Sequence, residues 1–304
     1  MSESALFGSS SLGCGEDNRC YREQAWGVKV TQSKVLVGQA IESGGTRGIV
    51  ACTHPSPDQL LHRLRLAEID LIRPLFPASG RILEIGGGSG YQASVIAAWG
   101  YEVESIDVKA SDEFFPVRSY DGEHIPCPSA SVDLIFSSNV LEHVPSSKLP
   151  VLLEETRRIL RDGGVSIHLL PTPSWRALNS AAHYPFVFRT LRGYFTRVPE
   201  ATDVSVNMNA AKSDRSARAL RFLKWSFAGP LRAHGEYASA LSELYYFSRR
   251  RWSRVFRDAG FQILSVQGNG LVYSGCAICP WLSMSWRRRL SNCLGSACNV
   301  FVVR

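Results

Sequence analysis

The stretch that decides the fold is a short apolar run followed by glycines, Arg81-Ile-Leu-Glu-Ile-Gly-Gly-Gly-Ser-Gly90. A buried strand accounts for the apolar run, and helical spacing from Tyr91 to Trp99 follows the last glycine. Glycines permit a tight turn and let a ligand approach the backbone without a Cβ in the way. The stretch therefore predicts a ligand site at the carboxyl edge of a parallel sheet.

Outward from this turn, apolar runs and amphipathic segments alternate along the chain. Such alternation predicts βαβ units, and hence an α/β fold with a mostly parallel, doubly wound sheet covered on both faces. The predicted strands are 81–86, 103–108, 117–120, 132–137, 165–170, 261–266 and 299–303, and the predicted helices are 58–76, 91–99, 148–160 and 248–259.

The alternation stops after Pro173 and resumes near residue 248. An interval this long inside an α/β unit predicts an inserted subdomain rather than a bare loop. We therefore divide the chain into a main domain of residues 54–170 and 248–304 and an inserted cap of residues 171–247, which would build the acceptor site. Residues 1–53 are rich in glycine and serine, and their fold stays open.

Composition indicates a globular protein with a localised positive charge. Of 304 residues, 45% are hydrophobic and 20% are charged, which excludes a disordered, collagen-like or disulfide-dependent protein. The formal net charge is +7, and the segment from Lys212 to Asp258 holds eleven basic and four acidic residues. This excess suits an anionic small molecule, a nucleic acid or an anionic membrane surface.

Two features bear on the location of the protein. The first residues lack the basic and apolar regions of a secretory signal, so we expect a cytoplasmic protein. The stretch from Ala259 to Trp286 has no charged residue and is long enough to span a membrane. Its glutamines, glycines and Pro280 nevertheless argue against a spanning helix.

Four of the eight cysteines, Cys276, Cys279, Cys293 and Cys298, invite comparison with a zinc site. Their spacing is irregular, and the first pair lies in an apolar run. We therefore expect buried free thiols and no metal site.

The glycine-rich turn distinguishes between two nucleoside cofactors. A dinucleotide fingerprint, G-x-G-x-x-G counted from Gly86, requires glycine where the chain has Tyr91. The observed pattern is E-x-G-x-G-x-G, and Asp107 ends the next predicted strand, where a carboxylate can accept from both ribose hydroxyls. This pattern resembles motif I of the class I S-adenosylmethionine-dependent methyltransferases.

Further segments resemble the same family in the same order. They are Tyr120-Asp-Gly-Glu-His-Ile-Pro126, Val132-Asp-Leu-Ile-Phe136, Val140-Leu-Glu-His-Val144 and Arg157-Arg-Ile-Leu-Arg-Asp-Gly-Gly-Val165, with a last match from Trp252 to Val266. The third is typical of the small-molecule branch. The resemblance implies a Rossmann-like, seven-stranded sheet with an antiparallel C-terminal strand, and S-adenosylmethionine as the cofactor.

The resemblance also implies roles for individual residues. The backbone of Gly86 and Gly88 would contact the methionine part, Glu84 its ammonium group, and Asp107 the ribose. Asp121 would accept from the adenine amino group. The alternative role for Asp121 is to form a turn, and the alternative for Glu84 is a solvated carboxylate at the end of the strand. The full implied cofactor-binding set is Glu84, Gly86, Gly88, Gly90, Asp107, Asp121, Gly122 and Asn139.

The acceptor is less well defined. Ser137-Ser138-Asn139-Val140 stands where enzymes that methylate base amines commonly place Asn or Asp before Pro-Pro-aromatic, which disfavours that chemistry. His143 and His234 are candidate general bases for a hydroxyl acceptor, with a hydrogen-bonded structural histidine as the alternative. Segments 233–236 and 247–261 loosely resemble methyltransferases of bacterial polysaccharide biosynthesis. We therefore expect O-methylation of a saccharide or similar small metabolite.

Clusters of basic residues define the expected partners. The Arg215–Lys224 and Trp281–Arg289 regions place basic residues beside tryptophan and leucine. This pattern suits anionic lipid, or phosphates on a nucleotide sugar or lipid-linked sugar, or only a solvated helix face. We expect an anionic or lipid-linked small-molecule acceptor, peripheral contact with the inner membrane surface, and no nucleic acid. The alternatives are an RNA or protein methyltransferase that docks through the basic stretch, and a non-catalytic scaffold.

Overall fold

The computed structural model describes residues 57–196, 234, 237, 239–274 and 279–304. Its strands are β1 (Arg81–Ile85), β2 (Glu102–Asp107), β3 (Val117–Ser119), β4 (Val132–Ser138), β5 (Leu160–Pro171), β6 (Ile263–Gly268) and β7 (Cys298–Val303). Its helices are α1 (Pro57–Ile72), α2 (Tyr91–Ala98), α3 (Leu149–Ile159), α4 (Pro173–Thr196), α5 (Ala240–Tyr246), α6 (Arg249–Asp258) and α7 (Met284–Leu294).

The described strands form one seven-stranded sheet in the order β3-β2-β1-β4-β5-β7-β6. β1 to β5 pair in parallel, and β7 pairs antiparallel with both β5 and β6. The predicted doubly wound sheet with an antiparallel C-terminal strand is therefore confirmed. Strand order reverses between β1 and β4, which opens a crevice at their carboxyl ends. The glycine-rich turn after β1 lies at this crevice.

Both faces of the sheet are covered by helices. α1 and α2 pack on one face, where Ile69 and Ile96 are fully buried. α3 and α6 pack on the other, where Leu152, Trp252 and Phe256 are fully buried. Fully burying one large apolar side chain contributes about 1.5–3 kcal/mol. Burial on both faces explains why the central strands are nearly continuous apolar runs.

The first helix ends earlier than predicted. α1 stops at Ile72 and is followed by a 3-10 turn, Arg73–Leu75, instead of continuing to Phe76. Pro74 has no backbone N–H and cannot donate to the carbonyl of Asp70, so the regular helix cannot pass through it.

The predicted cap of residues 171–247 contains two described helices, α4 and α5. The Arg215–Lys224 region and residues 1–53 lie outside the described residues. None of the helices in the described ranges is long and apolar enough to cross a membrane. The role of the cap in acceptor binding stays a prediction.

The Trp281–Arg289 region presents a mixed surface. Trp281 and Trp286 are 61% and 53% exposed, and Arg289 lies 5.3 Å from the Trp286 ring centroid. Arg287 turns inward instead, where it is buried and donates to three backbone carbonyls. Membrane contact through this region stays a prediction, and Arg287 has no part in it.

The cysteines of the described segments are free thiols in different environments. Cys127 and Cys298 are buried, as expected. The expectation was wrong for Cys293, which is exposed because it lies on a solvent-facing side of α7. Cys276, one of the four residues compared with a zinc site, lies outside the description.

A buried histidine in β5 was not singled out in the sequence. The Nδ1 atom of His168 lies 2.7 Å from Ser137 Oγ, and its Nε2 lies 2.8 Å from Ser166 Oγ. The ring stacks on Phe256 with a centroid distance of 5.2 Å. Burial lowers the pKa of His168 to about 3, so the ring is neutral at pH 7.

We expect acid to destabilise the protein through His168. An unfolded histidine has a pKa near 6.5, so between pH 6.5 and 3 the unfolded state binds a proton that the folded state does not. Stability from this residue is complete above pH 6.5 and falls by about 2 kcal/mol between pH 7 and pH 5. Denaturant unfolding at both pH values measures the loss. His168→Asn, which hydrogen-bonds without titrating, should lose correspondingly less, and an equal loss would contradict the assignment.

Candidate active site

The glycine-rich turn between β1 and α2 has the conformation that its sequence requires. Gly86, Gly88 and Gly90 have φ angles of 78°, 58° and 79°, which residues with a Cβ rarely adopt. A Cβ on Gly86 would lie 2.2 Å from Cγ2 of Val140, so the turn packs tightly on the segment after β4. A Cβ on Gly88 would meet no atom within 4 Å. Gly88 therefore borders open space that a ligand can fill.

Asp107, at the end of β2, faces the same turn. Its Oδ2 accepts from the Gly88 amide at 2.9 Å, and its Oδ1 accepts from the Lys109 amide at 3.2 Å. A carboxylate offers about four acceptor positions, so each oxygen can accept a further bond from a ribose hydroxyl. The geometry fits the role that the resemblance implies for Asp107.

Val108 was not singled out in the sequence. It follows Asp107, is 60% exposed, and its Cγ1 would lie 3.3 Å from a Cβ on Gly122, which has a φ of 83°. The two residues lie close together beside Asp107, and an exposed apolar side chain there suits the face of an adenine ring. The signal available in the sequence was an apolar residue directly after the acid that ends the strand.

Glu84 is buried rather than solvated. Its side chain lies in the interior beside the turn, and its Oε2 accepts from Ser105 Oγ at 2.7 Å. Burial is the main reason that the pKa of Glu84 rises to about 7, and the nearby charge of Asp107 adds to the rise. This position excludes the solvated alternative. A cation bound beside Glu84 would favour its charged form.

Asp121 organises its own loop. Its Oδ1 accepts from the backbone amides of Glu123 and His124 at 2.8 and 2.7 Å, and its Oδ2 lies 3.0 Å from His124 Nδ1. These bonds hold the pKa of Asp121 down at about 2, and the bond from the Glu123 amide contributes most. The turn-forming role is thus present, and contact with adenine stays a prediction.

A buried polar network supports the end of β4. Glu68 of α1 is fully buried and accepts from Arg65 at 2.8 Å, from Asn269 at 2.9 Å and from Tyr273 at 2.6 Å. Arg65 also donates to Ser138 Oγ at 3.1 Å. The network therefore ties α1 and the segment after β6 to the last residue of β4. Apart from the Arg65–Glu68 pair, the partners lie far apart in the chain, so no local pattern pointed to the network.

Asn139 follows β4 in a left-handed conformation, with a φ of 55°. Its amide donates to the Leu169 carbonyl at 2.9 Å, and its side chain bonds Ser138 Oγ at 3.1 Å and the Cys298 thiol at 3.4 Å. Asparagine tolerates this conformation better than most residues. The structure thus shows Asn139 turning the chain out of β4, and its contact with the cofactor stays a prediction.

Glu142, His143 and His234 come together next to this turn. Their donor atoms all lie within 4.8 Å of one another, with 3.8 Å between His143 Nε2 and Glu142 Oε1. The two imidazole rings meet edge to face at 4.9 Å. Desolvation lowers the pKa of both histidines, that of His234 to about 3, so both rings are neutral at pH 7. The two histidines predicted from the sequence therefore belong to one site.

Glu142 is the member that sequence reasoning missed, although it stands beside His143 in the phrase Val140-Leu-Glu-His-Val144. Its side chain is fully buried, and neither oxygen has a hydrogen-bond partner on another residue in the described part of the chain. Burial raises the pKa of Glu142 to about 8. The signal in the sequence was the adjacency of a carboxylate and an imidazole, but adjacency does not reveal burial.

Helices of the cap region hold His234 in place. Its backbone amide donates to Glu243 of α5, and the same carboxylate pairs with Arg176 of α4 at 2.7 Å. The ring of Trp175 meets the His234 ring at 4.7 Å. The buried ion pair therefore joins both described cap helices to the cluster.

Comparison with known proteins identifies the family of the chain. Residues 58–266 match a family model described as a methyltransferase domain. The match spans more than half of the 304 residues. The chain belongs to the methyltransferase domain family.

Curated relatives share part of this methyltransferase domain. The biotin biosynthesis bifunctional protein BioHC of Cellvibrio japonicus (strain Ueda107) is 32% identical over 93 residues, which are 28% of this chain and 18% of the relative. An uncharacterized methyltransferase of Mycobacterium avium (strain 104) is 35% identical over 102 residues, which are 30% of this chain and 39% of the relative. The chain thus spans less than half of the length of these relatives.

A solved S-adenosylmethionine-dependent methyltransferase from Mesorhizobium loti is also similar in structure. The two share 17% sequence identity with a TM-score of 0.43, over 78% of this chain and 97% of the other.

Membership of the methyltransferase domain family confirms the predicted class. The chain is therefore a member of a methyltransferase family, and S-adenosylmethionine is the cofactor that the resemblance in its sequence implies. The polysaccharide-associated branch and the acceptor are not distinguished by these matches. Both stay predictions.

Proposed function

We propose that this methyltransferase transfers the methyl group of S-adenosylmethionine to a hydroxyl of a small anionic acceptor, such as a saccharide or a similar metabolite. The observation that carries the proposal is the cluster of Glu142, His143 and His234. It follows β4 directly, and Val140 in the same segment packs on Gly86 of the cofactor turn. Two imidazoles that are neutral at pH 7, and so can accept a proton, are therefore expected beside the methyl position.

The cofactor would be held by the residues around the crevice. Asp107 would accept from the ribose hydroxyls, Glu84 would face the ammonium group, and the open side of Gly88 would receive the methionine part. Val108, which is exposed, and Gly122 beside it would border adenine. These positions would direct the sulfonium toward the carboxyl end of β4.

The chemistry favours a hydroxyl over an amine. The acceptor oxygen attacks the methyl carbon in line with the C–S bond, and sulfur keeps the bonding electron pair as S-adenosylhomocysteine leaves. Alignment of the two reactants supplies much of the acceleration. A hydroxyl must also lose its proton, whereas a neutral amine attacks without prior deprotonation. A cluster of imidazoles and a carboxylate therefore serves a hydroxyl acceptor, and it adds little for an amine acceptor.

Arg251 supports an anionic acceptor. Its guanidinium lies over the rings of Tyr237, Tyr246 and Trp252 at 4.6–5.9 Å, and its buried Nη1 has no hydrogen-bond partner in the described residues. Tyr237, one of the rings that the guanidinium faces, stands three residues after His234 of the cluster in the chain. A guanidinium with an unpaired N–H is suited to a phosphate or carboxylate, which an acceptor would have to bring into this buried position.

Transfer of a labelled methyl group tests the proposal. The full chain is incubated with methyl-tritiated S-adenosylmethionine and a cell extract that contains small molecules, RNA and protein. We expect label in acid-soluble molecules that bind an anion exchanger, in a linkage that resists alkali as an ether does. Asp107→Ala serves as the background. Label in the RNA or protein precipitate would contradict the proposal, as would label only in methylamines.

A further inference from the structure

We propose that Glu142, His143 and His234 bind a divalent first-row transition-metal ion. The metal site itself rests on geometry alone, and only its part in the reaction rests on the proposed function. It departs from the expectation, drawn from the cysteines, that the chain holds no metal. The three residues are two imidazoles and one carboxylate, a ligand set that leaves coordination positions open for a substrate.

The spacing of the donor atoms is close to what an ion requires. All three lie within 4.8 Å of one another, and Glu142 Oε1 lies 3.8 Å from His143 Nε2. Metal–ligand bonds of about 2.1 Å separate neighbouring ligand atoms by about 3–3.5 Å. The cluster therefore needs to contract by about an ångström, which side-chain rotation can provide.

The buried carboxylate of Glu142 is the second observation that points to a cation. The side chain is fully buried, and neither oxygen has a hydrogen-bond partner on another described residue. Burial disfavours the charged form of a carboxyl group unless the group is paired or coordinates a metal, and a cation bound beside Glu142 would favour that charged form. Arg65, the nearby cation, is engaged by Glu68 and Ser138 instead. Glu142 faces two imidazoles, and a metal ion is a partner that all three groups can share.

The surrounding structure holds the ligands in place from two sides. Glu142 and His143 lie in a 3-10 turn, Leu141–His143, that follows β4. His234 is fixed through its backbone by Glu243, which is paired with Arg176. The ligands thus come from the main domain and from the cap region, so an ion between them would link the two.

The ligand chemistry selects the class of metal. Imidazole nitrogens favour zinc, cobalt, iron and nickel, whereas Mg²⁺ prefers oxygen ligands. An ion at this position would supply a Lewis acid for the acceptor hydroxyl. The histidines would then act on the acceptor proton through the ion rather than by taking it directly.

Titration with Co²⁺ alone tests the site. The full chain, stripped with a chelator, is titrated by calorimetry and by visible absorption, which reports the geometry of bound cobalt. We expect one site per chain, and we expect Glu142→Gln and His234→Asn to weaken it at least about tenfold, as even outer ligand partners do. Glu154→Gln, the same change at an exposed position on α3, should leave binding unchanged. Mg²⁺ at equal concentration should not displace Co²⁺.

Several outcomes would overturn the metal site. These are the absence of Co²⁺ binding, binding that survives both variants and so belongs to cysteine thiols, and displacement by Mg²⁺. Thermal melting without metal and binding of S-adenosylhomocysteine show whether the variants are folded. If Glu142→Gln or His234→Asn does not fold, His143→Gln replaces that variant. Methyl transfer that resists chelation, with no Co²⁺ site, would refute the metal and leave the proposed function intact. A Co²⁺ site together with methyl label in RNA or protein would support the metal site and refute the proposed function.

Discussion

Replacing Asp107 with alanine is expected to weaken binding of S-adenosylhomocysteine at least about 100-fold. The change removes the carboxylate that we propose accepts from two ribose hydroxyls, and each hydrogen bond to a charged group contributes about 1.5–3 kcal/mol. It also removes the bond from the Gly88 amide that shapes the turn. Calorimetric titration of the two proteins measures the ratio of dissociation constants.

The matched control for this experiment is Asp258→Ala, which removes an exposed carboxylate from the end of α6. We expect its affinity for S-adenosylhomocysteine to equal that of the unchanged chain. If Asp107→Ala binds the nucleoside as tightly as the control does, the ribose lies elsewhere and the assignment of the crevice is wrong.

The second large effect is a contrast between two glycines of one turn. Gly88→Ala should fold with a loss of about 1–2 kcal/mol, the cost of its left-handed backbone, because no atom lies near the added Cβ. It should nevertheless bind S-adenosylhomocysteine at least about tenfold more weakly, a difference of about 1.4 kcal/mol, because the methyl fills space meant for the ligand.

Gly86→Ala should show the opposite balance. Its Cβ would lie 2.2 Å from Val140 Cγ2, so overpacking adds to the same backbone cost and the loss of stability should reach about 3 kcal/mol or more. Denaturant unfolding and calorimetry of both variants separate the two effects. Equal loss of stability in the two variants, or unchanged affinity in Gly88→Ala, would show that the open side of Gly88 does not face the ligand.

The parts of this molecule that were predictable are those that a local pattern specifies. The spacing of glycines after an apolar run predicted the turn at Gly86 to Gly90, and alternation of apolar and amphipathic segments predicted the parallel sheet. Asp107 was placed because it ends the neighbouring strand, and parallel strands end at one edge. In each case, residues adjacent in sequence determine the geometry.

The parts that were not predictable depend on contacts between distant residues. Nothing near Arg287 in the sequence distinguishes it from Arg288 and Arg289, yet it is buried on backbone carbonyls and they are exposed. Glu68 gains two of its three partners, Asn269 and Tyr273, from a segment about 200 positions away. The meeting of Glu142 with His234 likewise follows only from contacts between the cap region and the turn after β4.

A structure of the chain with S-adenosylhomocysteine bound tests the central claim most directly. The account predicts the ribose on Asp107, the adenine beside Val108 and Gly122, and the sulfur facing Glu142, His143 and His234. The space between sulfur and cluster should place an acceptor oxygen about 3–3.5 Å from the transferred methyl group. A nucleoside bound away from the glycine-rich turn, or a sulfur that faces away from the cluster, would contradict the account.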